Sequence, residues 1–390
     1  MNKINTTSFV STLPAETYYC SEQYNEEFNK IFKKEWIYAM HESQLPELGS
    51  YDTFEMGSVP LLIVRGQDDV IRAFYNVCVH RGHILATGNG TAKNFVCPYH
   101  AWTYQTDGTL RGVPGAKVSE MPTCTRSLRG VETRIRDGFI FVRLEEGEDD
   151  FDEKFGGFFD ELNKTIPNLE GMRFVRRYKE PVKCNWKIMV ENYLECYHCS
   201  QTHPALAELI DLENFKISQH EYYLTTSAPA GSPDNSAFSY KPRKDMQKQF
   251  TGWGLWPNSS FNIFPGQDNI LIFHMVPSAS EETYGYCDFF FRDGVVDEEA
   301  AALMDWEVEV LETEDNDLIM SAQLGMKSGA LDHGTFILDT ANQMISEAPL
   351  AHFNYMVQRA LNGHDAMQYH WQRPEAPVQS RPPVRRTNGR

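Results

Sequence analysis

The chain has 390 residues, a formal charge of -18 and 41% hydrophobic residues. Phosphate binding needs basic patches that so acidic a chain has little means to build, and no apolar run reaches the roughly eighteen residues of a bilayer span, which sets aside nucleic-acid-binding and membrane-spanning classes. An acidic surface does attract a cationic substrate or the basic face of a redox partner, although ordinary solubility explains the charge equally well.

In chain order, residues 1–36 read as an N-terminal helical segment of a later domain, with Phe28, Ile31, Phe32 and Trp36 at helical spacing as core. Met1 to Pro14 is polar, without an apolar stretch of secretory length, so a reducing cytoplasm is the expected compartment. From 37 to 145 the pattern is that of short strands, among them Leu61 to Arg65, Ile71 to Val77 and Gly138 to Val142, broken by turns such as Gly88-Asn89-Gly90. The acidic run from Glu145 to Glu153 reads as a linker into a larger unit, 146–370. There helices mix with long strands over Ser260 to Phe264, Asn269 to Val276 and Thr283 to Phe291, an α+β composition. Residues 371–390, rich in Pro and Arg, read as a flexible tail whose Arg385 and Arg386 are more simply solvated than partner-binding.

Two clusters inside the strand-rich unit carry chemistry: Cys78-Val79-His80 and Cys97-Pro98-Tyr99-His100. Two thiolates and two imidazoles in paired short spacings suit a structural zinc, and they also suit a [2Fe-2S] centre in which two cysteines hold one iron and two histidines the other. The alternation of one cysteine and one histidine per loop favours the second, as do the flanks Arg81-Gly82 and Ala101-Trp102. His83 follows in the same loop, but four positions are already filled, so it reads as a loop residue bonded to backbone. Cys20, Cys124, Cys184, Cys196, Cys199 and Cys287 read as free buried thiols.

The second constellation runs Asn185-Trp186-Lys187, then Glu191-Asn192-Tyr193-Leu194-Glu195-Cys196-Tyr197-His198, then His203-Pro204. Asn185 to Cys199 suits one helix, with Glu195 and His198 on a shared face. His203 returns to the same point only if the helix unwinds after Ser200. Two histidines at a helix end are often no more than satisfied polar residues. Joined to a distant carboxylate, they make the 2-His-1-carboxylate site of non-haem iron oxygenases.

C-x-H-R-G at Cys78 and C-P-Y-H-A-W at Cys97 together resemble the Rieske non-haem iron oxygenases, alpha-subunit type. That resemblance implies an all-β Rieske [2Fe-2S] domain followed by a larger helix-grip catalytic domain, an antiparallel sheet with helices. It implies Cys78, His80, Cys97 and His100 as cluster ligands, and His198, His203 and Asp315 as ligands of a mononuclear Fe(II). Asp315 is the family match within Glu314-Asp315-Asn316-Asp317, ahead of Gln323-x-Gly325; Glu314 and Asp317 are near misses, otherwise a solvated acidic face. Glu195 falls where the family links its two centres, with His100 of a neighbouring subunit and His198 of its own as contacts. Asn192, in the same string, is the other catalytic candidate. Also implied are O2 as co-substrate, a flavin or iron-sulfur reductase that passes on electrons from NAD(P)H, and a homotrimer in which electrons cross between subunits.

Most ring-hydroxylating members carry Asp at the linking position. The glutamate in E-C-Y-H-C resembles the branch that oxidises quaternary ammonium compounds, with carnitine and glycine betaine monooxygenases as its members. Such a cation is best held by aromatic faces, and Tyr193, Trp253, Trp256, Phe261 and Phe264 are the expected cage, although in a chain with 13% aromatic residues such side chains are more often core. Lys327-Ser328-Gly329-Ala330 departs from that branch towards aromatic-acid oxygenases, so ring hydroxylation of an aromatic acid is the alternative substrate reading. A Rieske electron-transfer protein without oxygenase activity is the third, disfavoured by the intact His198, His203 and Asp315 set.

Overall fold

The computed structural model describes residues 7–363, so the tail expected at 371–390 lies outside the described residues. The chain opens not with a helix but with strand β1 (Thr7–Pro14). Helix α1 (Ser21–Glu27) follows and widens into a five-residue π turn, Phe28–Phe32, that buries Phe28, Ile31 and Phe32 as the periodicity predicts. The strand was missed because its partner among the described residues lies more than 300 residues away, where no local pattern reveals it.

Ten strands come next: β2 (Ile37–His41), β3 (Ser50–Met56), β4 (Val59–Arg65), β5 (Ile71–Tyr75), β6 (Gly90–Thr91), β7 (Asn94–Val96), β8 (Thr103–Gln105), β9 (Leu110–Gly112), β10 (Gly130–Arg136) and β11 (Phe139–Arg143). Seven form a sheet in the order β2-β11-β10-β5-β4-β3-β6, and β7-β8-β9 form a small second sheet. The acidic linker is irregular only to Asp150, where α2 (Phe151–Thr165) begins. Phe151, Phe155, Phe158, Phe159 and Leu162 of α2 are buried against Phe139, Phe141, Trp253 and Phe261. Each such burial contributes roughly 1.5–3 kcal/mol, so α2 cements the first seven-stranded sheet to the one that carries Trp253 and Phe261.

That second seven-stranded sheet is antiparallel throughout. Its strands are β12 (Met172–Val182), then, beyond helices α3 (Trp186–Tyr193), α4 (Cys199–Thr202) and α5 (Pro204–Leu209), β13 (Lys216–Gln219), β14 (Tyr223–Pro229), β15 (Gln249–Leu255), β16 (Ser259–Ile263), β17 (Asn269–Ala279) and β18 (Glu282–Arg292). They run in the order β12-β18-β17-β16-β15-β14-β13. Helix α6 (Glu298–Trp306) passes through another π turn, Glu307–Leu311, into α7 (Glu312–Lys327). Strand β19 (His333–Asp339) then pairs with β1, and α8 (Ala348–Asn362) closes the described chain. This mixture of an all-β domain with a helix-bearing antiparallel sheet is the expected α+β architecture.

Buried polar contacts lock the halves. Arg177 binds Asp288 through Nε and Nη2 at 2.6 Å each and donates to the Ala39 carbonyl at 2.9 Å, while Tyr38 donates to Asp288 at 2.9 Å. A forked arginine–carboxylate pair fixes orientation as well as distance. Nearer the N-terminus, Glu27 accepts from Lys187 and from the Trp186 indole at 2.7 Å each, and Gln323 joins α7 to the Asn185 amide at 2.8 Å. Helices α3 and α7 are thereby held in register.

Glu191 of α3 accepts from Tyr18 at 2.7 Å and from Asn354 at 2.5 Å. Burial raises its carboxyl from the ordinary 4.5 to about 7, against the lowering effect of those bonds and of Lys187. Between these values the folded protein keeps a proton that the unfolded chain has released. The stability from this group is therefore complete below about 4.5 and is lost as pH rises through about 7, roughly 3 kcal/mol in all. Glu191→Gln keeps an acceptor for Tyr18 and Asn354 and cannot ionise. Paired thermal melts are expected to show the variant gaining on the wild type from pH 5 to pH 8; parallel curves refute this account.

Candidate metal centres and substrate cavity

The two cysteine–histidine loops share one backbone plan. The Cys78 amide donates to the His83 carbonyl and the Cys97 amide to that of Trp102, both at 2.8 Å, while Gly82 and Ala101 donate back to the Cys78 and Cys97 carbonyls at 2.9 Å. The residue four past each cysteine has positive φ, +74° at Gly82 and +56° at Ala101, which turns each loop back on itself. Cys78 and Cys97 are buried, His80 is exposed at the tip, and the His80 and His100 rings lie 4.6 Å apart. Trp102 stacks on His80 at 4.5 Å, and the Tyr104 hydroxyl sits 3.1 Å from the Cys78 sulfur. Nδ1 of His100 is buried with no hydrogen-bond partner. An orphaned imidazole nitrogen beside two buried thiols and a second imidazole is a donor set that fits a cluster. His83 bonds the Ile84 carbonyl at 2.5 Å, a loop contact as expected.

The second constellation departs from the single expected helix. Helix α3 ends at Tyr193, residues 194–198 form a turn, and a short helical turn leads to His203, where Pro204 starts α5. Cys196 and Cys199 are joined by a disulfide, which corrects their reading as free thiols, and the C-x-x-C spacing carried that signal. Of the other four, Cys184 and Cys287 are buried, Cys20 is half-buried and Cys124 is exposed. The break in the helix is what lets the two histidines converge.

Ligating atoms of His198, His203 and Asp315 lie within 4.8 Å of one another. Nε2 of His203 is 3.1 Å and Nε2 of His198 3.4 Å from Asp315 Oδ1. Each histidine turns its other nitrogen to a glutamate: His198 Nδ1 lies 2.5 Å from Glu195 Oε1, and His203 Nδ1 lies 2.8 Å from Glu314 Oε2. A carboxylate on Nδ1 fixes the tautomer that leaves Nε2 free for a metal. Glu314, a near miss by motif, is thus the group that orients His203, and Asp317 is exposed. Asn192 donates to Asp315 Oδ1 at 3.1 Å. Burial alone lowers His198, yet the bonds and charges of Asp315 and Glu195 outweigh it and carry the ring to about 10. For Asp315, burial raises and the two imidazoles lower the carboxyl, to about 2. So strongly coupled a set has neutral Nε2 lone pairs to offer only when a cation takes the proton's place, and it fits a mononuclear iron.

A cavity of about 150 Å³ opens beside this set. Tyr193 and Phe264 line it, together with Phe250 and Phe273. Trp253, Phe261 and Trp256 do not, which corrects the expected cage. On paired strands β15 and β16, Trp253 and Phe261 face each other on the side covered by α2, whereas Asn262, one residue on, points to the cavity. The Trp253 indole is held there by Glu161 at 2.9 Å. Trp256 packs against Phe353 of α8 instead. The cavity wall also holds His274, Glu307 and Glu312, which sequence reasoning passed over. Glu307 stands eight residues before Asp315, two turns back along one helix face, and that spacing was the available signal.

A tip fit for an iron-sulfur cluster, with a separate two-histidine, one-carboxylate site opening on a shielded cavity, defines a Rieske-type non-haem iron oxygenase. Residues 35–125 match the Rieske [2Fe-2S] domain and residues 169–363 the ring hydroxylating alpha subunit (catalytic domain). The carnitine monooxygenase oxygenase subunit of Acinetobacter baumannii is 32% identical over 349 residues, 89% of this chain and 94% of that one. Its Escherichia coli counterpart is 31% identical, over 89% and 92%. Among solved structures, the quaternary ammonium Rieske monooxygenase CntA in complex with L-carnitine superposes with a TM-score of 0.81 at 30% identity, over 90% and 96% of the two chains. Naphthalene 1,2-dioxygenase, at 19% identity and a TM-score of 0.76, shares the fold. The chain belongs to the ring-hydroxylating alpha-subunit family of Rieske oxygenases. Its two domains imply a Rieske cluster and a mononuclear iron, and no helix among the described residues is long and apolar enough to cross a membrane.

Proposed function

We propose that this chain is the terminal oxygenase of a multicomponent system that oxidises an N-methyl group of a small quaternary ammonium compound. The observation that carries the reading is the cavity beside His198, His203 and Asp315: aromatic rings and carboxylates line it, and no lysine or arginine does among the described residues. A quaternary ammonium has no proton to donate, so aromatic faces and nearby negative charge are what hold it. Relatives named for carnitine and glycine betaine oxidation support the same class.

Cys78, His80, Cys97 and His100 are the proposed holders of the cluster, and His198, His203 and Asp315 of the iron. When bound, these groups supply single electrons and O2 reduction. The chain's own part is positional. Glu195 and Glu314 hold protons on Nδ1 of His198 and His203, Asn192 steadies Asp315, and the apolar walls exclude water beside the reacting methyl group. Hydroxylation of that methyl gives a carbinolamine, whose C–N bond breaks to release formaldehyde, a demethylated amine and a proton.

The proposed assembly is a homotrimer in the cytoplasm, served by a flavin or iron-sulfur reductase that draws on NAD(P)H. The exposed tip bearing His80 and the outward Tyr197, 41% exposed and two residues from Glu195, are the surfaces that such a subunit contact would join. The aromatic-acid alternative finds no support, since Ser328, Gly329 and Ala330 are exposed after α7 and away from the cavity wall. With a surrogate reductase and NADH, O2 uptake is expected to match formaldehyde release on an N-methyl cation. No formaldehyde from any betaine, choline or carnitine compound sinks the proposal.

A further inference from the structure

Glu307 opens the π turn between α6 and α7 and faces the cavity. It is 0% exposed, and neither of its carboxyl oxygens has a hydrogen-bond partner. Buried carboxyls normally have partners, and protonation does not cure this one, because its O–H then lacks an acceptor. The wide turn brings Glu312 to the same wall, five residues on, beside Asp315 of the metal set. Phe250, Phe264 and Phe273 supply aromatic rings to the same space.

The basic groups of β12 are already committed, Arg176 to Asp305 at 3.9 Å among them. Arg177 lies behind Tyr286 with its guanidinium 5.2 Å from that ring, bound to Asp288 and to the Ala39 carbonyl. Lys179 reaches Glu55 at 3.2 Å on the surface. A carboxylate entering this cavity thus meets four acidic side chains, Glu195, Glu307, Glu312 and Asp315, and no lysine or arginine among the described residues. An N-methyl cation meets the reverse, and it satisfies Glu307 without any hydrogen bond.

We propose that Glu307 is the carboxylate that holds the positive end of the substrate, and that the substrate is a cation with no carboxylate of its own. This deepens the quaternary-ammonium reading and rests on it, but it sets the chain apart from relatives named for zwitterions. Burial and the neighbouring Glu312 and Asp315 push the Glu307 carboxyl upward, a tendency that a fixed positive charge in the cavity opposes.

The test is calorimetric titration of the iron-loaded oxygenase, without reductase, with three probes: choline, its neutral carbon isostere 3,3-dimethyl-1-butanol, and the larger zwitterion L-carnitine. Choline is expected to bind at least tenfold tighter than either of the others. Glu307→Gln is expected to weaken choline at least tenfold and to leave the neutral isostere unchanged. Carnitine binding as tightly as choline overturns the proposal without any variant, and so does choline binding no better than its isostere. An equal loss for choline and the isostere in Glu307→Gln marks a structural role and overturns it too. Formaldehyde from carnitine alongside tight carnitine binding removes this inference while the N-demethylating function stands; no formaldehyde from any N-methyl cation removes both.

Discussion

Glu195→Ala is expected to leave both metal sites loaded and to reduce turnover by about a hundredfold, the upper end for loss of a group that supports a metal ligand. Glu195 is not part of the ligand set, so iron and sulfide per chain and the visible absorption of the cluster are expected to match the wild type. What is lost is the carboxylate on His198 Nδ1, 2.5 Å away, and with it the proposed path for electrons to the iron. Single-turnover oxidation of a pre-reduced cluster isolates that step: in the presence of substrate and O2 it is expected to slow as much as steady-state turnover does. Glu195→Gln, which keeps a hydrogen-bond acceptor and removes the charge, is expected to fall between the two. Full activity in the alanine variant removes the linking role.

Asp315→Ala has the other large effect, and its signature is the opposite one. Asp315 Oδ1 gathers His198, His203 and Asn192 within 3.4 Å. Its removal leaves two imidazoles with no anionic partner for a dication. Chelatable iron beyond the cluster is expected to fall from one per chain to near none, with activity below detection, while the cluster spectrum persists because Cys78, His80, Cys97 and His100 lie on another domain. Retention of that iron in Asp315→Ala points to Glu314 or Glu312 as a substitute ligand and refutes the assignment. The change is not expected to unfold the chain, because α7 stays anchored through Gln323 to Asn185 and Tyr18.

What the sequence disclosed of this site followed from how local each signal is. Cys78 and His80, or Cys97 and His100, sit within one loop, so their spacing states their geometry. Asp315 was reachable through its flanking residues. The orienting role of Glu314 was not, since it depends on which way one helix turn faces a histidine 111 residues earlier. Strands β4, β5, β11, β16, β17 and β18 fall close to where alternation and β-branched residues predicted them. The aromatic cage failed for a different reason. Composition shows that Trp253 and Phe261 are buried but not which face of the sheet buries them, and a strand offers two. Helix α3 ended early because Leu194 to His198 is drawn into a turn by contacts of Glu195 and the Cys196–Cys199 bridge, which outweigh ordinary helix propensity.

The pairing of β1 with β19 has a bearing on how the protein is made. Thr7 lies against Asp339, so strand β1 has no partner among the described residues until β19 has been synthesised, more than 300 residues later. The cluster-bearing domain can complete its own sheet and take up metal early, but the segment before it must wait, with Tyr18, Glu27 and Phe32 exposed, for α3, α7 and α8 to arrive. Closing so long a loop is slow, and the waiting species displays apolar surface. Slow translation, low temperature or a chaperone that covers this segment should therefore raise the yield of active enzyme, and an expression tag fused ahead of Thr7 is better placed on a spacer than directly on the strand.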